Sequence, residues 1–262
     1  MKRYIPFLTV IAAVAVLFYS CKRDFTVAAK TTGIGSNAFL KIIHASPNFR
    51  KILAPDSIPD SVNVFLGSVK INAGFLQYGA TWPTSGIGYA AVTPGPQMIR
   101  VVVNGVTNPD SITVTSFQRT LEAGKYYTLV ITDSIKSPRD SSKIWIQDAF
   151  PSPTAGPGTF YLRFTHAVMD GITDTVDLYS LRRNQVFFSK IKMDSTTPFT
   201  SFSTILNSQD TVYVRKSGTG TILAKLPTIT FGDQQFYSLY YAGDTAASPA
   251  AKTRALGGVQ NR

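Results

Sequence analysis

Cysteine, histidine and acidic residues are scarce in this sequence. Cys21 is the one cysteine among 262 residues, so the chain has no internal disulfide framework. The formal net charge is +11, from 26 Lys and Arg against 15 Asp and Glu. Such a balance favours anionic lipid headgroups, lipopolysaccharide phosphates or acidic glycans as partners, or simply gives a solvated surface. The cations are scattered and build no phosphate track, so we expect no nucleic-acid partner.

Catalytic motifs and helical periodicity are also missing. There is no G-x-S-x-G elbow, H-E-x-x-H helix, Walker loop or G-x-G-x-x-G turn opening a helix. Carboxylates that are close in sequence lie in turn contexts, which gives no glycosidase pair. We therefore expect no enzyme, no catalytic residue and no cofactor.

An N-terminal leader is the first feature that is present. Residues 1–20 combine a basic start, a short apolar run and a small residue, Ser20, which is typical of a signal peptide. The cysteine that follows, Cys21, resembles the lipobox of bacterial lipoproteins in the relaxed form of the Bacteroidota, with Phe18 in place of a branched aliphatic residue. The resemblance implies acylation of Cys21 and membrane anchoring. The alternative is a free cysteine in an uncleaved anchor or a mature N-terminus.

The residues after Cys21 bear on localisation. Surface export of Bacteroidota lipoproteins resembles a process that reads acidic residues just after the cysteine, whereas Lys22 and Arg23 here precede a single Asp24. We expect a cell-envelope protein anchored to the outer membrane, facing the periplasm rather than the cell surface.

Residues 21–37 form a polar tether. Beyond it, the sequence is typical of β-strands and turns, and most of it consists of an internal repeat in two copies. Val, Ile, Tyr, Phe and Thr form short runs separated by Gly, Pro, Asn and Asp. Three motifs recur in the same order: LKIIHA at 40–45 and LRFTHA at 162–167, DSVNVFL at 60–66 and DTVDLYS at 174–180, and KYYTLVITD at 125–133 and QFYSLYYAGD at 235–244. We predict two similar all-β domains in tandem.

Composition sets the domain boundaries. We assign residues 38–150 to the first domain and 159–244 to the second, with a Pro- and Gly-rich linker at 151–158. The C-terminal tail, residues 245–262, is expected to be mostly irregular.

Strand alternation assigns faces within the first repeated motif. Leu40 and His44 share one face and Lys41 lies on the other, and Arg163 and His166 alternate in the same way in the second copy. Because a cation does not readily face a core, both histidines point inward or toward a strand end. We interpret them as hydrogen-bonded structural residues, since a metal site would need three further donors in each domain.

A turn pattern indicates the type of sandwich. In LEAGKYY, Leu121 stands six residues before Tyr127 with Gly124 between them, and FGDQQFY repeats the spacing from Phe231 to Tyr237. The spacing resembles the tyrosine corner, in which the hydroxyl bonds back across the corner of a Greek-key sandwich. We therefore predict two tandem immunoglobulin-like Greek-key β-sandwich domains.

Together these motifs resemble the bacterial domain of unknown function DUF4397. FLKIIHASPN, DSVNVFLG, YAAVTPGPQMIRVVVNG and LEAGKYYTLVIT follow the order of that family over residues 38–135, and residues 160–245 follow it loosely. The second copy has HAVMD in place of His-Ala-Ser-Pro. The family implies no established activity and no catalytic residue, and its frequent presence in Bacteroidota lipoproteins agrees with the lipobox.

Two tryptophans are the remaining candidates for contacts. Trp82 lies in a loop-like stretch and is either a platform for a sugar face or a ring folded over the end of the sandwich. Trp145 alternates with Ile144 and Ile146, so we place it at the junction of the domains.

The sequence as a whole indicates a non-catalytic, lipid-anchored envelope protein with a structural or adhesive role. The alternative is a glycan-binding module of a polysaccharide-uptake system. Partners are the membrane and envelope proteins or glycans, and the oligomeric state is left open.

Overall fold

The computed structural model describes residues 34–47, 61–84, 88–103, 112–132, 143–151, 156–168, 175–205, 208–244 and 253–262. Within these ranges the chain forms a 3-10 turn, Ile34–Ser36, and nineteen β-strands. The strands of the first half are β1 (Ala38–His44), β2 (Ser61–Leu66), β3 (Val69–Lys70), β4 (Leu76–Gln77), β5 (Thr81–Trp82), β6 (Ala90–Val92), β7 (Gly95–Val103), β8 (Ile112–Leu121), β9 (Tyr126–Ile131) and β10 (Lys143–Asp148). Those of the second half are β11 (Thr159–His166), β12 (Val176–Ser180), β13 (Gln185–Ile191), β14 (Ser195–Thr196), β15 (Thr200–Ser203), β16 (Asp210–Lys216), β17 (Ile222–Ile229), β18 (Phe236–Ala242) and β19 (Ala255–Gln260). The predicted all-β class is confirmed.

Strands of the first half build two sheets. Sheet A has the order β10-β9-β1-β5, with β6 also paired to β1, and sheet B has the order β3-β2-β7-β8, with β4 also paired to β2. Leu40 and Ile42 from sheet A meet Val64 and Val101 from sheet B in one buried core. Sheets A and B are called the first sandwich below.

Strands of the second half repeat this plan. Sheet C has the order β14-β11-β18-β19, with β15 also paired to β11, and sheet D has the order β13-β12-β16-β17. Their common core is more aromatic and includes Phe160, Phe164 and Leu178. The parallel pairs correspond residue by residue, because Leu40 stands opposite Tyr127 in β1 and β9, and Leu162 opposite Tyr237 in β11 and β18. Sheets C and D are called the second sandwich.

A third apolar cluster joins the two sandwiches. Ile43 and Val130 project from the outer face of sheet A, and Tyr240 and Ala242 project from sheet C into the same buried cluster. Sheets A and C therefore cover each other, and this contact layer is called the junction. Side chains on both faces of β1 and β18 are buried as a result.

The immunoglobulin-like Greek key is not confirmed. Strand β1 runs parallel to β9 and lies between β9 and the short strands β5 and β6. Strand β2 lies in the opposite sheet. In the constant-type immunoglobulin fold, by contrast, the first two strands belong to the same sheet.

The prediction of a mostly irregular C-terminal tail is wrong for its last residues. Strand β19 pairs antiparallel with β18 from Tyr237 to Ala242 and completes sheet C. In the first sandwich β10 occupies the equivalent place beside β9. The sequence pattern did not predict this strand because two glycines, Gly257 and Gly258, stand in its middle, and glycine is rare in strands.

Candidate functional site

The open edge of the first sandwich forms a cleft of about 670 Å³, called the Trp82 cleft below. It lies between the β3 edge of sheet B and the β5 and β6 edge of sheet A. Its volume falls in the range of small-molecule sites, about 300–1,000 Å³. The lining residues are Asn37, residues 66–71, Trp82, residues 91–93 and Gln97.

Trp82 packs on the first core with one part of its ring and lines the cleft with another. Strand β5 places it opposite Ile42 of β1, and because Ile42 points into the first core, one part of the indole packs against that core. Another part of the half-buried ring lines the cleft. Leu66 and Val92, both buried, form an apolar floor beside it.

Lys70 faces the cleft from β3 and is exposed to solvent. Its Nζ lies 5.2 Å from the centroid of the Phe75 ring, a cation–π distance that holds the ammonium without neutralising it. Lys70 is the one charged side chain among the described lining residues. No Asp or Glu occurs anywhere from residue 61 to residue 109, which leaves this side of the first sandwich without acidic residues from that stretch.

A buried asparagine fixes the segment that carries Lys70. Asn72 accepts a hydrogen bond from the Val64 backbone N–H at 2.8 Å and donates from its amide to the Gly74 carbonyl at 2.7 Å. The same amide donates to Asn63 Oδ1 at 3.1 Å. Since an amide in this geometry is satisfied from both ends, β3 and the following loop are tied to β2.

Among the described residues, the rim of the cleft is polar and uncharged apart from Lys70. Asn37 and Gln97 supply carboxamides, and the Gln97 amide donates to the Thr93 carbonyl at 3.3 Å. Carboxamides offer both donors and acceptors, as an array of sugar hydroxyls requires. The cleft therefore combines an apolar floor, an aromatic wall and a polar rim.

The junction holds a second cluster of polar residues, which sequence reasoning missed. Lys41 and Arg163 were expected on the strand face away from the cores, yet each is only 2% exposed. That face is covered by the other sandwich, so the two cations are enclosed between sheets A and C. Alternation along a strand distinguishes its two faces but does not show that a partner sheet covers one of them.

Arg163 is paired across the junction. Its Nη1 forms a salt bridge with Asp148 Oδ1, its Nη2 donates to Thr128 Oγ1 at 2.9 Å, and its Nε donates to Ser238 Oγ at 2.6 Å. Thr128 in turn donates to Asp148 Oδ2 at 2.6 Å. The guanidinium and the carboxylate are thus bonded to each other and to neighbouring hydroxyls, as buried charges require.

Tyr89 and Asn261 close the network. The Tyr89 hydroxyl donates to Asp148 at 2.8 Å and accepts from the Asn261 amide at 2.6 Å. Ser238 donates to Asn261 Oδ1 at 2.8 Å. Hydrogen bonds therefore run continuously from β10 of the first sandwich to the residue that follows β19 in the second.

Lys41 is the second cation of this layer. Its Nζ donates to the Gln260 carbonyl at 3.0 Å and lies 5.1 Å from the Tyr89 ring centroid. Burial first, and the charge of Arg163 second, lower the pKa of Lys41 to about 8. Burial and the charge of Asp148 raise the pKa of the Tyr89 hydroxyl, so this phenol remains protonated at neutral pH.

Both histidines are buried at strand ends. His44 Nδ1 accepts a long 3.4 Å hydrogen bond from the Ser46 backbone N–H, and its ring meets Tyr78 edge-on at 6.3 Å. His166 meets Tyr241 edge-on at 5.2 Å. In the described part of the chain, no three His, Cys, Asp or Glu side chains come together as metal ligands.

The two predicted corner tyrosines occupy equivalent places. The Tyr127 hydroxyl accepts a hydrogen bond from the Glu122 backbone N–H at 3.0 Å, and the Tyr237 hydroxyl accepts from the Gly232 N–H at 2.9 Å. Each bond spans the passage from one sheet to the other, between β8 and β9 or between β17 and β18.

The placement of Trp145 at the junction is wrong. Its ring stacks on Tyr127 at 5.4 Å and packs against the first core, while Ile144 and Ile146 contribute to the junction. Trp145 stands opposite Leu129 of β9, which points into that core, and cross-strand partners share a face.

The predicted leader 1–20, the lipidation site Cys21 and most of the tether lie outside the described residues. Of the helical segments that the structure describes, none has the length and apolar character needed to cross a membrane.

No family model and no curated protein matches this sequence. Among solved structures, it is similar to a Bacteroides thetaiotaomicron protein of the DUF1812 group with a proposed polysaccharide-binding role, at 8% identity and a TM-score of 0.24, over 79% of this chain and 92% of the other. It is also similar to a proposed adhesin from Bacteroides ovatus at 8% identity and a TM-score of 0.21, over 83% and 90% of the two chains. A proposed cell adhesion protein from Parabacteroides distasonis has 11% identity and a TM-score of 0.20, over 87% and 98%. Similarities this weak assign neither a fold family nor a ligand to this chain.

Proposed function

We propose that this protein is a non-catalytic protein of the cell envelope, held at a membrane by acyl chains on Cys21, which presents its two sandwiches for structural or adhesive contacts. The observation that carries the structural role is the buried junction between the two sandwiches. A salt bridge between Arg163 and Asp148, a network of hydroxyl and amide hydrogen bonds, and an apolar cluster join sheets A and C.

A fixed junction between the two sandwiches suits a protein that makes contacts at a distance from its membrane anchor. A pair of domains joined only by a linker moves freely, whereas buried hydrogen-bonded charges oppose sliding because any displacement leaves a charge unpaired. The two sandwiches then present their outer surfaces in a fixed relation. The DUF4397-like motifs and the lipobox-like leader support an envelope location, and the cations after Cys21 support the periplasmic side of the outer membrane.

Metabolic labelling with a palmitate analogue tests the anchor. We expect label on the wild-type protein and none on Cys21→Ser, which should be released from the membrane fraction. Label that persists on Cys21→Ser would contradict lipidation at this residue. Protease treatment of intact cells, compared with permeabilised cells, tests the orientation, since a periplasm-facing protein is digested only after permeabilisation.

Cells that lack the protein test the structural or adhesive role. We expect weaker attachment to surfaces or weaker envelope integrity, restored by the wild-type chain and not by Cys21→Ser. Full restoration by an unanchored chain would contradict a role that depends on presentation from the membrane.

Glycan binding is the second candidate function, and the Trp82 cleft favours it. An exposed part of an indole beside carboxamides is suited to the apolar face and the hydroxyls of a sugar. A glycan array probed with the wild-type protein and with Trp82→Ala tests this candidate. Binding that is present in the wild type and lost in the variant supports it, and an array without any bound glycan counts against it.

A further inference from the structure

The charge of the Trp82 cleft indicates which class of glycan the cleft would bind. Lys70 is its one charged side chain among the described lining residues, and the surrounding stretch from residue 61 to residue 109 contains no carboxylate. Across the β7–β8 pair, Arg119 stands opposite the cleft residue Gln97. The charge on the cleft lining is therefore that of the Lys70 ammonium, with Arg119 as the nearest cation on β8 and Glu122 in the turn beyond that strand. A neutral sugar would leave the Lys70 charge unused.

We propose that the Trp82 cleft binds an acidic sugar, a hexuronic acid unit of a glycan, through its carboxylate and one face of its ring. The proposal rests on the second candidate function, glycan binding at this cleft. The carboxylate pairs with the Lys70 ammonium, and the apolar face of the sugar ring lies on Trp82.

Each part of the cleft has a place in this interaction. The Trp82 indole is held by its contact with the first core, so its exposed part is a fixed surface for sugar C–H groups. The Lys70 ammonium is a compact donor whose position is limited by Phe75 and by the Asn72 hydrogen bonds to β2. Asn37 and Gln97 provide donors and acceptors for the ring hydroxyls.

A single cation at the position of Lys70 favours a uronic acid over a highly charged polymer as the ligand. One ammonium among otherwise uncharged described lining residues matches one carboxylate on each sugar, whereas binding that depends on charge density would use a row of cations. An exposed pair of this kind contributes only modestly in water, and its contribution falls as salt rises. Stacking on Trp82 must therefore supply the remainder of the affinity.

The test compares two ligands that differ only at the carboxylate, which is charged in one and methyl-esterified in the other. Full-length protein in detergent micelles is titrated calorimetrically with oligogalacturonate and with the same oligomer methyl-esterified at its carboxylates. We expect the acid to bind about fivefold more tightly than the ester, which corresponds to one exposed charge pair of about 1 kcal/mol. Raising the salt concentration should reduce this difference.

Two variants locate the effect. Lys70→Gln should remove the preference for the acid and leave the weak affinity for the ester unchanged. Lys225→Gln, which removes an exposed cation of β17 in the second sandwich, should change neither affinity. Trp82→Ala should weaken the binding of both ligands. Because the Trp82 ring also packs on the core, the folding of this variant is checked by circular dichroism. Lys70→Gln remains the decisive variant.

The outcomes distinguish a failure of the acidic-sugar preference from a failure of glycan binding at the cleft. Equal affinity for acid and ester, or a preference that survives Lys70→Gln, would overturn the acidic-sugar site while leaving glycan binding in place. A preference lost equally in Lys225→Gln would also overturn it, because the attraction would then come from net charge. If neither these oligomers nor any array glycan binds, glycan binding at the cleft fails as well.

Discussion

Single hydroxyl groups hold the corners at which the chain passes from one sheet to the other. Removing the Tyr127 hydroxyl by Tyr127→Phe leaves the Glu122 N–H without its acceptor. We expect a loss of about 1 kcal/mol in the free energy of unfolding, the usual net value of one such hydrogen bond. Urea unfolding followed by circular dichroism measures it.

The neighbouring tyrosine provides the control for this substitution. The Tyr126 ring stacks on Phe39 at 4.7 Å, so its contribution comes from ring packing and Tyr126→Phe should be nearly neutral. Tyr237→Phe, the equivalent corner of the second sandwich, should resemble Tyr127→Phe. Equal stability of Tyr127→Phe and wild type would show that the corner bond makes no net contribution.

A second residue-scale prediction concerns the charge of Lys41. Its pKa is about 8 in the folded protein and 10.5 in the unfolded chain, so between these values the unfolded state binds one more proton. Stability therefore rises with pH across this window, by up to about 3 kcal/mol for a shift of this size. Below pH 8 the buried ammonium, beside Arg163, Asp148 and Tyr89, makes its full unfavourable contribution.

Comparison with Lys41→Met isolates this effect, because the variant has no titrating group at that position. The free energy of unfolding of the wild type minus that of Lys41→Met should increase from pH 8 to pH 10.5. Tyrosines that ionise near the upper limit titrate in both proteins and largely cancel. A difference that stays flat or decreases would mean that Lys41 is solvated.

At the scale of elements, β19 shows why a strand can contain two glycines. A Cβ at Gly257 would meet the Tyr240 ring, with the hydroxyl oxygen at 2.6 Å, and that hydroxyl donates to the Gly79 carbonyl of the first sandwich at 3.1 Å. This hydrogen bond and burial in the junction oppose a movement of the ring away from β19. We expect Gly257→Ala to cost about 1–3 kcal/mol, as overpacking does.

Thermal unfolding of Gly257→Ala and of Gly220→Ala checks this prediction. No atom lies within 4 Å of the position that a Cβ at Gly220 would occupy, and the φ of Gly220 is not in the left-handed region, so Gly220→Ala should have almost no effect. Similar melting temperatures for the two variants would indicate that β19 can shift away from Tyr240.

The same element shows how far the sequence predicts this fold. Alternation and repeated motifs identify the core faces of β1 and β11, because inward positions such as Leu40 are chosen for burial alone. They do not reveal β19, in which Gly257 faces the Tyr240 ring and Gly258 faces the Leu239 side chain. They also do not reveal the buried cations, whose partners lie far away in the chain. The Gln147-Asp148 and Gln260-Asn261 pairs were the available signal, since each stands at the end of the last strand of its repeat, with Gln147 opposite Tyr127 and Gln260 opposite Tyr237.

The Trp82 cleft could be predicted only in part. A tryptophan between turn-forming residues pointed to a loop with a contact role, but the cleft depends on β3 and β6 coming to the same open edge. Those strands have two and three residues and show no periodicity that a sequence pattern could detect.

In the whole molecule, the junction brings together equivalent residues of the two repeats. Lys41 corresponds to Arg163, and Thr128 corresponds to Ser238. Asp148 stands opposite Tyr126 in the first repeat, and Asn261 bonds to Phe236, the equivalent of Tyr126, in the second. The layer is thus nearly two-fold symmetric, but the hydrogen-bonded network around Arg163 has two cations, Lys41 and Arg163, and one carboxylate, Asp148. The charge balance of this network depends on Asp148.

Asp148→Asn should therefore weaken the whole molecule rather than one sandwich. The amide keeps the shape of the carboxylate but leaves the buried Arg163 and Lys41 without their carboxylate partner. Breaking a buried pair by removing one partner costs about 3–5 kcal/mol. Because both sandwiches share this layer, we expect the wild type to unfold in one transition and Asp148→Asn to unfold at lower temperature in two, with a calorimetric enthalpy above the van't Hoff enthalpy of each.

Two comparisons make this last prediction specific. Asp177→Asn makes the same chemical change in sheet D, where the carboxylate accepts from the Lys190 N–H and the Ser217 hydroxyl, and it should lower stability less without splitting the transition. The double variant Asp148→Leu with Arg163→Met removes both charges, so it should lose less stability than the sum of the single changes. Two transitions in the wild type, or equal effects of Asp148→Asn and Asp177→Asn, would mean that the sandwiches unfold independently and that the junction does not couple them.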